Sequence, residues 1–66
     1  MNLETLLEFI KITIISLEQD QAEISNRMEP LDPNSKDFNY LDIEYNWING
    51  QIAGISHILK VAEERE

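Results

Sequence analysis

Apolar residues recur at alternating steps of three and four along both halves of the 66-residue chain. A mean step of 3.5 keeps one stripe of an α-helix against a neighbouring helix, so each half predicts a long helix that packs lengthwise. In the first half the repeating positions are Leu3, Leu7, Ile10, Ile14, Leu17, Gln21, Ile24 and Met28. In the second half they are Phe38, Leu41, Tyr45, Ile48, Ile52, Ile55, Leu59 and Ala62. These residues predict the seam inside an all-α fold.

A short segment without helical pattern separates the two halves, and it holds both prolines of the chain, Pro30 and Pro33. Because proline cannot continue a helix from within, we expect one helix over about residues 3–28 and a second over about 36–64. The turn then covers about residues 29–35. Helices of similar length joined by so short a turn predict an antiparallel two-helix hairpin, and the whole chain is expected to form a single domain.

Three local alternatives remain open at this point. Ile10, Ile12 and Ile14 alternate with polar residues, a pattern that also favours a β-strand. Gly50 lies inside the second predicted helix and is a point where that helix is able to bend or break. The candidate N-caps of the second helix are Asp32, Asn34 and Ser35.

Each predicted helix carries a second apolar stripe that the seam of a hairpin does not cover. Left in water, the two stripes would exceed the apolar patch that soluble monomers usually expose. We therefore expect two hairpins to associate into a dimeric four-helix bundle. The predicted oligomer interface consists of Phe9, Ile12, Tyr40, Ile43, Trp47, Gly50, Gly54, His57 and Val61.

Individual residues of these stripes sharpen the prediction. A glycine inside a helix costs about 1 kcal/mol relative to alanine, so Gly50 and Gly54 point to a close packing contact. Trp47 is either part of the bundle core or an anchor for a different protein, because tryptophan is enriched at binding hot spots. Gln21 is the one polar residue of the two seams; it either fixes the register of the helices or marks a place where the seam reaches water.

The size and charge of the chain limit its stability and its partners. So short a chain needs a staple or a partner. With no cysteine and one histidine, His57, we expect neither a disulfide nor a metal site. Thirteen acidic against five basic residues give a net charge of -8, which opposes direct contact with nucleic acids or anionic membranes. Acidity of this kind usually serves solubility, and a basic protein partner is the less common explanation. Glu4 and Glu8 stand where a signal peptide carries basic residues, which favours the cytoplasm of the producing or host cell.

No group of residues specifies a chemical reaction. The carboxylates are spread over polar faces, the serines and threonines are not paired with a base, and the glycines do not form a phosphate-binding loop. We therefore expect no enzymatic activity, no cofactor and no bound metal.

The carboxy-terminal half of the chain, from Asp32-Pro33 through YNWINGQIAGI at residues 45–55 to Leu59, resembles a pattern in small phage-encoded helical proteins of unknown role. In that pattern an aromatic-rich helix runs into Gly-Gln-Ile and a further apolar turn. The resemblance implies a phage or phage-like origin and brings no catalytic site. With the predicted dimer it favours a small acidic, homo-oligomeric protein-interaction module, an accessory or host-takeover factor. The alternative is a DNA mimic that inhibits a nucleic-acid-binding enzyme, although a charge of -8 on a rod of about 40 Å is sparser than that of duplex DNA.

Overall fold

The computed structural model describes residues 2–64 as two antiparallel helices that form a rod of 47 × 15 × 14 Å. Helix α1 spans Leu3–Met28 and helix α2 spans Lys36–Glu64. The prediction of an all-helical hairpin is confirmed, and residues 2–64 contain no strand. The alternating isoleucines of α1 are helical, because the period of three and four continues on both sides of them.

Helix α1 has a well-defined start and a simple end. The Oδ1 atom of Asn2 accepts a hydrogen bond of 2.8 Å from the backbone N–H of Thr5, which satisfies one of the free donors of the first turn. The guanidinium of Arg27 donates to Glu23 at 2.7 Å near the other end, where a positive charge suits the helix dipole. The helix ends at Met28, two residues before Pro30.

The turn and the start of α2 are organised by two different side chains. Asp32 accepts a hydrogen bond from the backbone N–H of Asn34 at 3.0 Å and so stabilises the turn. Ser35 caps the helix: its Oγ atom accepts from the N–H of Phe38 at 3.1 Å and donates to the carbonyl of Asp32 at 2.7 Å. Of the three candidate caps, Ser35 is therefore the N-cap.

Replacing Ser35 by alanine is expected to lower the free energy of unfolding by about 1 kcal/mol, because the variant loses the hydrogen bond to the first turn of α2. Urea unfolding followed by circular dichroism measures this change. The matched control is Ser25→Ala, at an exposed position inside α1, where alanine is expected to keep or slightly raise the stability. Equal stability of the two variants would show that Ser35 does not anchor α2.

The seam lies between the helices over their whole length. Leu7, with 5% of its surface exposed, and Ile48, with 8%, are its buried residues. Half-buried along the seam are Ile10, Ile14, Leu17, Gln21, Ile24, Met28, Phe38, Leu41, Tyr45, Ile52, Ile55, Leu59 and Ala62. Leu3 departs from the predicted ladder, since 48% of its surface is exposed at the end of the rod.

Gln21 joins the two helices. Its Nε2 atom donates to the Oδ1 atom of Asn49 at 3.3 Å, the one side-chain hydrogen bond between α1 and α2 in the described part of the chain. The bond is exposed to solvent, so it agrees with both interpretations: a residue that sets the register and a place where the seam reaches water.

Helix α2 runs without interruption through both of its glycines. Neither Gly50 nor Gly54 has a positive φ angle, and the residues on both sides of each are helical. The alternative in which α2 breaks at Gly50 is therefore wrong. Neither helix has a stretch long and apolar enough to cross a membrane, among the residues that the structure describes.

Candidate functional site

The most distinctive surface of the hairpin is the apolar stripe of α2 that the seam leaves uncovered. Tyr40 and Ile43 are each 70% exposed and Trp47 is 68% exposed. Gly50, Gly54, His57 and Val61 continue the stripe and are exposed as well. Large apolar side chains are thus presented to water over the first half of α2, and smaller residues continue the stripe along its second half.

The first half of α1 also carries exposed apolar residues on several sides. Phe9 and Ile12 of the predicted interface are exposed, and so are Leu6 and Ile15. A helix with apolar residues on several sides is normally buried on more than one of them. One neighbouring helix does not complete the environment of this part of α1.

Two grooves between the helices define one long edge of the hairpin. One groove is lined in part by Arg27, Asp37 and Tyr40, and the other by Arg27, Glu23 and Glu44. Because both contain Arg27, they lie on the same side of the seam. We call this side the Tyr40 edge.

The opposite edge combines polar side chains with an apolar groove near the turn, which Met28, Pro33 and Phe38 help to line. Ser25 and Asp42 also line this groove, and the Lys11–Glu63 ion pair, with an Nζ to Oε2 distance of 3.7 Å, lies toward the end of the rod that is remote from the turn. Lys11 and Ser25 are two heptads apart, and Asp42 and Glu63 are three apart, which places them on the same sides of their helices. Since both members of the ion pair are about half exposed, we attribute little stability to it.

The Tyr40 edge changes character along the rod. Residues seven apart lie on the same side of a helix. The Tyr40 edge can therefore be followed toward the open end of the rod, remote from the turn, in steps of seven. The steps start from Tyr40 and Glu44 on α2 and run backwards from Glu23 and Asp20 on α1. The residues reached at that end are Leu6, Phe9, Thr13, Ser16, Gln51, Gly54, Ile58 and Val61. None of them is charged. The open half of the edge is therefore an uncharged surface, whereas the half near the turn carries acidic residues and Arg27.

Of the predicted interface residues, Phe9, Tyr40, Trp47, Gly54 and Val61 share the Tyr40 edge. Ile43, Gly50 and His57 lie beside them on the outer side of α2. Ile12 is not brought together with these residues, because it lies on the outer side of α1, on the far side of the rod.

Sequence reasoning did not include Ile58, which is 59% exposed on the Tyr40 edge. Its position directly before the seam residue Leu59 was the available signal. Leu6 precedes Leu7 in the same way, and residues that precede a seam position flank the seam.

Two further observations concern the middle of α2. A Cβ atom built on Gly50 or Gly54 would find no atom of the chain outside its own helical turn within 4 Å, so nothing in the hairpin requires a glycine there. The Nε2 atom of Gln51 is buried and has no hydrogen-bond partner among the described residues. A buried donor without a partner costs about 1–3 kcal/mol.

The open end of the rod is acidic. Glu4 and Glu8 of α1 lie at the same end as Glu63 and Glu64 of α2, and all four are exposed. Glu66 lies outside the described residues. Among residues 2–64, no three His, Asp or Glu side chains come close enough together to hold a metal ion.

The chain matches no protein-family model, no curated protein and no solved structure. Two surfaces distinguish the molecule. One is the Tyr40 edge together with the outer stripe of α2, and the other is the acidic end.

Proposed function

We propose that the protein is a small, acidic, non-enzymatic interaction module that associates with itself through the Tyr40 edge, forming a dimeric four-helix bundle. The observation that carries this proposal is the amount of surface that one copy exposes. The exposed apolar stripe of α2 has the composition of an interface core, in which aromatic side chains are enriched and charged side chains are depleted.

The surface area supports a partner of interface size. One copy exposes 5203 Å², whereas a compact protein of 7.7 kDa is expected to expose about 4,300 Å². The excess is about 900 Å², and a stable interface buries about 800 Å² on each partner. The two-helix rod thus exposes roughly the additional area that one partner of standard size would cover.

The acidic surface suggests what the assembled module does. A net charge of -8 and the four carboxylates at the open end favour attraction of a basic surface on another protein. Self-association through apolar residues and recognition through carboxylates use different parts of the rod, so both are possible at once. The phage-like sequence over residues 45–55 supports the further proposal that the partner is a host protein and the module an accessory or host-takeover factor.

Sedimentation of the purified chain tests self-association. We expect a concentration-dependent shift from monomer to dimer, with a dissociation constant in the micromolar range or tighter, as for interfaces of this size. Because two copies of charge -8 repel each other, raising the salt from about 0.05 M to about 0.5 M is expected to strengthen the dimer.

Two results would contradict the proposal. One is a folded monomer at every concentration and salt level tested. The other is a dimer that weakens as salt is added, since that would mean that ion pairs rather than apolar residues hold it together.

A further inference from the structure

We infer that the dimer forms by antiparallel packing of two α2 helices, with Trp47 of each copy seated on Gly54 of the other. This inference rests on the proposed self-association and adds its geometry: the occupant of the α2 stripe is the same stripe of a second copy. The two-fold axis crosses α2 close to Gly50 and Gln51.

The order of side-chain sizes along the stripe is the first reason. The residues that lie centrally on it, seven apart, are Tyr40, Trp47, Gly54 and Val61. Bulky aromatic residues come first and smaller residues follow. When a second copy runs in the opposite direction, Trp47 meets Gly54 and Tyr40 meets Val61, so that each large side chain faces a smaller one.

This arrangement is self-complementary in the way that a two-fold interface requires, since the contact of Trp47 with Gly54 occurs twice. The arrangement also explains why glycines occur in the stripe. Trp47 is exposed and no atom outside the helical turn lies near a Cβ built on Gly54, so the ring of one copy and the open backbone of the other are both free to meet. A tryptophan buried against backbone in this way has the character of a hot spot.

The residues beside the axis fit the same register, whereas one heptad further out Glu44 lies opposite Ile58 of the second copy. Next to the axis, Gly50 meets Gly50 of the second copy and allows the helices to approach closely. On the other flank Gln51 meets Gln51, and two side-chain amides related by a two-fold axis are able to donate to each other. A small rotation of each side chain in the dimer would give the unpaired Nε2 atom of Gln51 an acceptor.

A second arrangement of the dimer is geometrically possible, and the experiment has to distinguish it from the first. If both turns lay at the same end, α2 would pack on α1 of the second copy, and Gly54 would lie opposite Ser16. Two small residues would then face each other, whereas the ring of Trp47 would lie against the carboxylate of Glu23. The same register places Val61 opposite Phe9 and Glu44 near Arg27, but it leaves the ring of Trp47 and the open backbone of Gly54 without a matching contact.

Disulfide cross-linking separates the two arrangements, because the natural chain contains no cysteine. In air, the variant Gln51→Cys is expected to form a covalent dimer, because residue 51 of one copy lies against residue 51 of the other. The double variant Ser16→Cys with Gly54→Cys is expected to form no covalent dimer. The reverse result, cross-linking of the double variant and none of Gln51→Cys, would overturn the antiparallel arrangement and leave the dimer itself intact.

The size of residue 54 provides a second test. Gly54→Leu places a side chain where the ring of Trp47 is to sit, at two symmetric contacts, and is expected to raise the dissociation constant about thirtyfold or more. The matched control is Ala53→Leu at the neighbouring exposed position, which is expected to leave the dissociation constant unchanged. Leucine is a good helix former, so both variants keep α2.

The fluorescence of Trp47, the only tryptophan, reports the contact directly. Its emission is expected to shift to shorter wavelength as the natural chain dimerises, and Gly54→Leu is expected to abolish this shift at the same concentrations. A natural chain that stays monomeric would contradict the proposed function itself. A dimer that keeps its affinity and its emission shift in Gly54→Leu would contradict only the α2 packing.

Discussion

Replacing Ile48 by alanine is expected to lower the free energy of unfolding of the hairpin by about 2–5 kcal/mol, the range for truncation of a buried isoleucine. Ile48 is one of two buried residues in the described chain, so the cavity left behind has few neighbours able to fill it. A domain of this size has a total stability of about 3–10 kcal/mol. The variant is therefore expected to lose much of its helix content near body temperature.

Urea unfolding of a dilute sample, followed by circular dichroism, measures this loss. The matched control is Ile15→Ala, the same substitution at a residue that is 55% exposed on α1, which is expected to change the stability by less than about 0.5 kcal/mol. Similar losses in both variants would mean that the seam is not the main source of stability. A loss in Ile15→Ala alone would place the core on the outer side of α1.

The double variant Gly50→Ala with Gly54→Ala is expected to be more stable than the natural chain by about 2 kcal/mol when measured as a monomer. Each alanine removes about 1 kcal/mol of helix cost, and the added Cβ atoms meet nothing outside their own helical turn within 4 Å. For a domain of this size the gain corresponds to a rise in melting temperature of about 10 °C. Thermal unfolding at the lowest usable concentration measures it.

The converse substitution is the control for this experiment. Ala53→Gly introduces a glycine into the same turn of α2 but away from the apolar stripe, and is expected to cost about 1 kcal/mol. If the double variant gains no stability while Ala53→Gly loses it, the two glycines already stabilise the monomer through contacts within the chain. That outcome would remove the reason for placing a second copy against them.

The architecture was predictable because two independent signals agree. The steps of three and four define which side of each helix is covered, and Pro30 and Pro33 define where the first helix has to end. Both signals are local, and local patterns are sufficient for a fold with a single short connection. The second apolar stripe was visible for the same reason, since its residues follow the same period on another side of α2.

The features that the sequence did not determine depend on how the two helices are placed against each other. Asp32, Asn34 and Ser35 are all good caps, and only the path of the turn decides that Ser35 meets the first turn of α2. The contact of Gln21 with Asn49 depends on the pairing register, which periodicity leaves open. Ile12 lies apart from the other predicted interface residues for the same reason. The sequence shows the apolar stripe of each helix separately, but not which side of α1 lies next to which side of α2.

The sparse interior of the hairpin has a consequence for the amount of protein in a cell. Leu7 and Ile48 are the buried side chains of the described chain, so a solitary copy is expected to open often and to be degraded readily. In the proposed dimer, pairing would protect both copies, and the paired fraction would grow with the number of molecules present. We expect the lifetime of the protein to lengthen as its synthesis increases, so that a modest rise in expression produces a disproportionate rise in abundance.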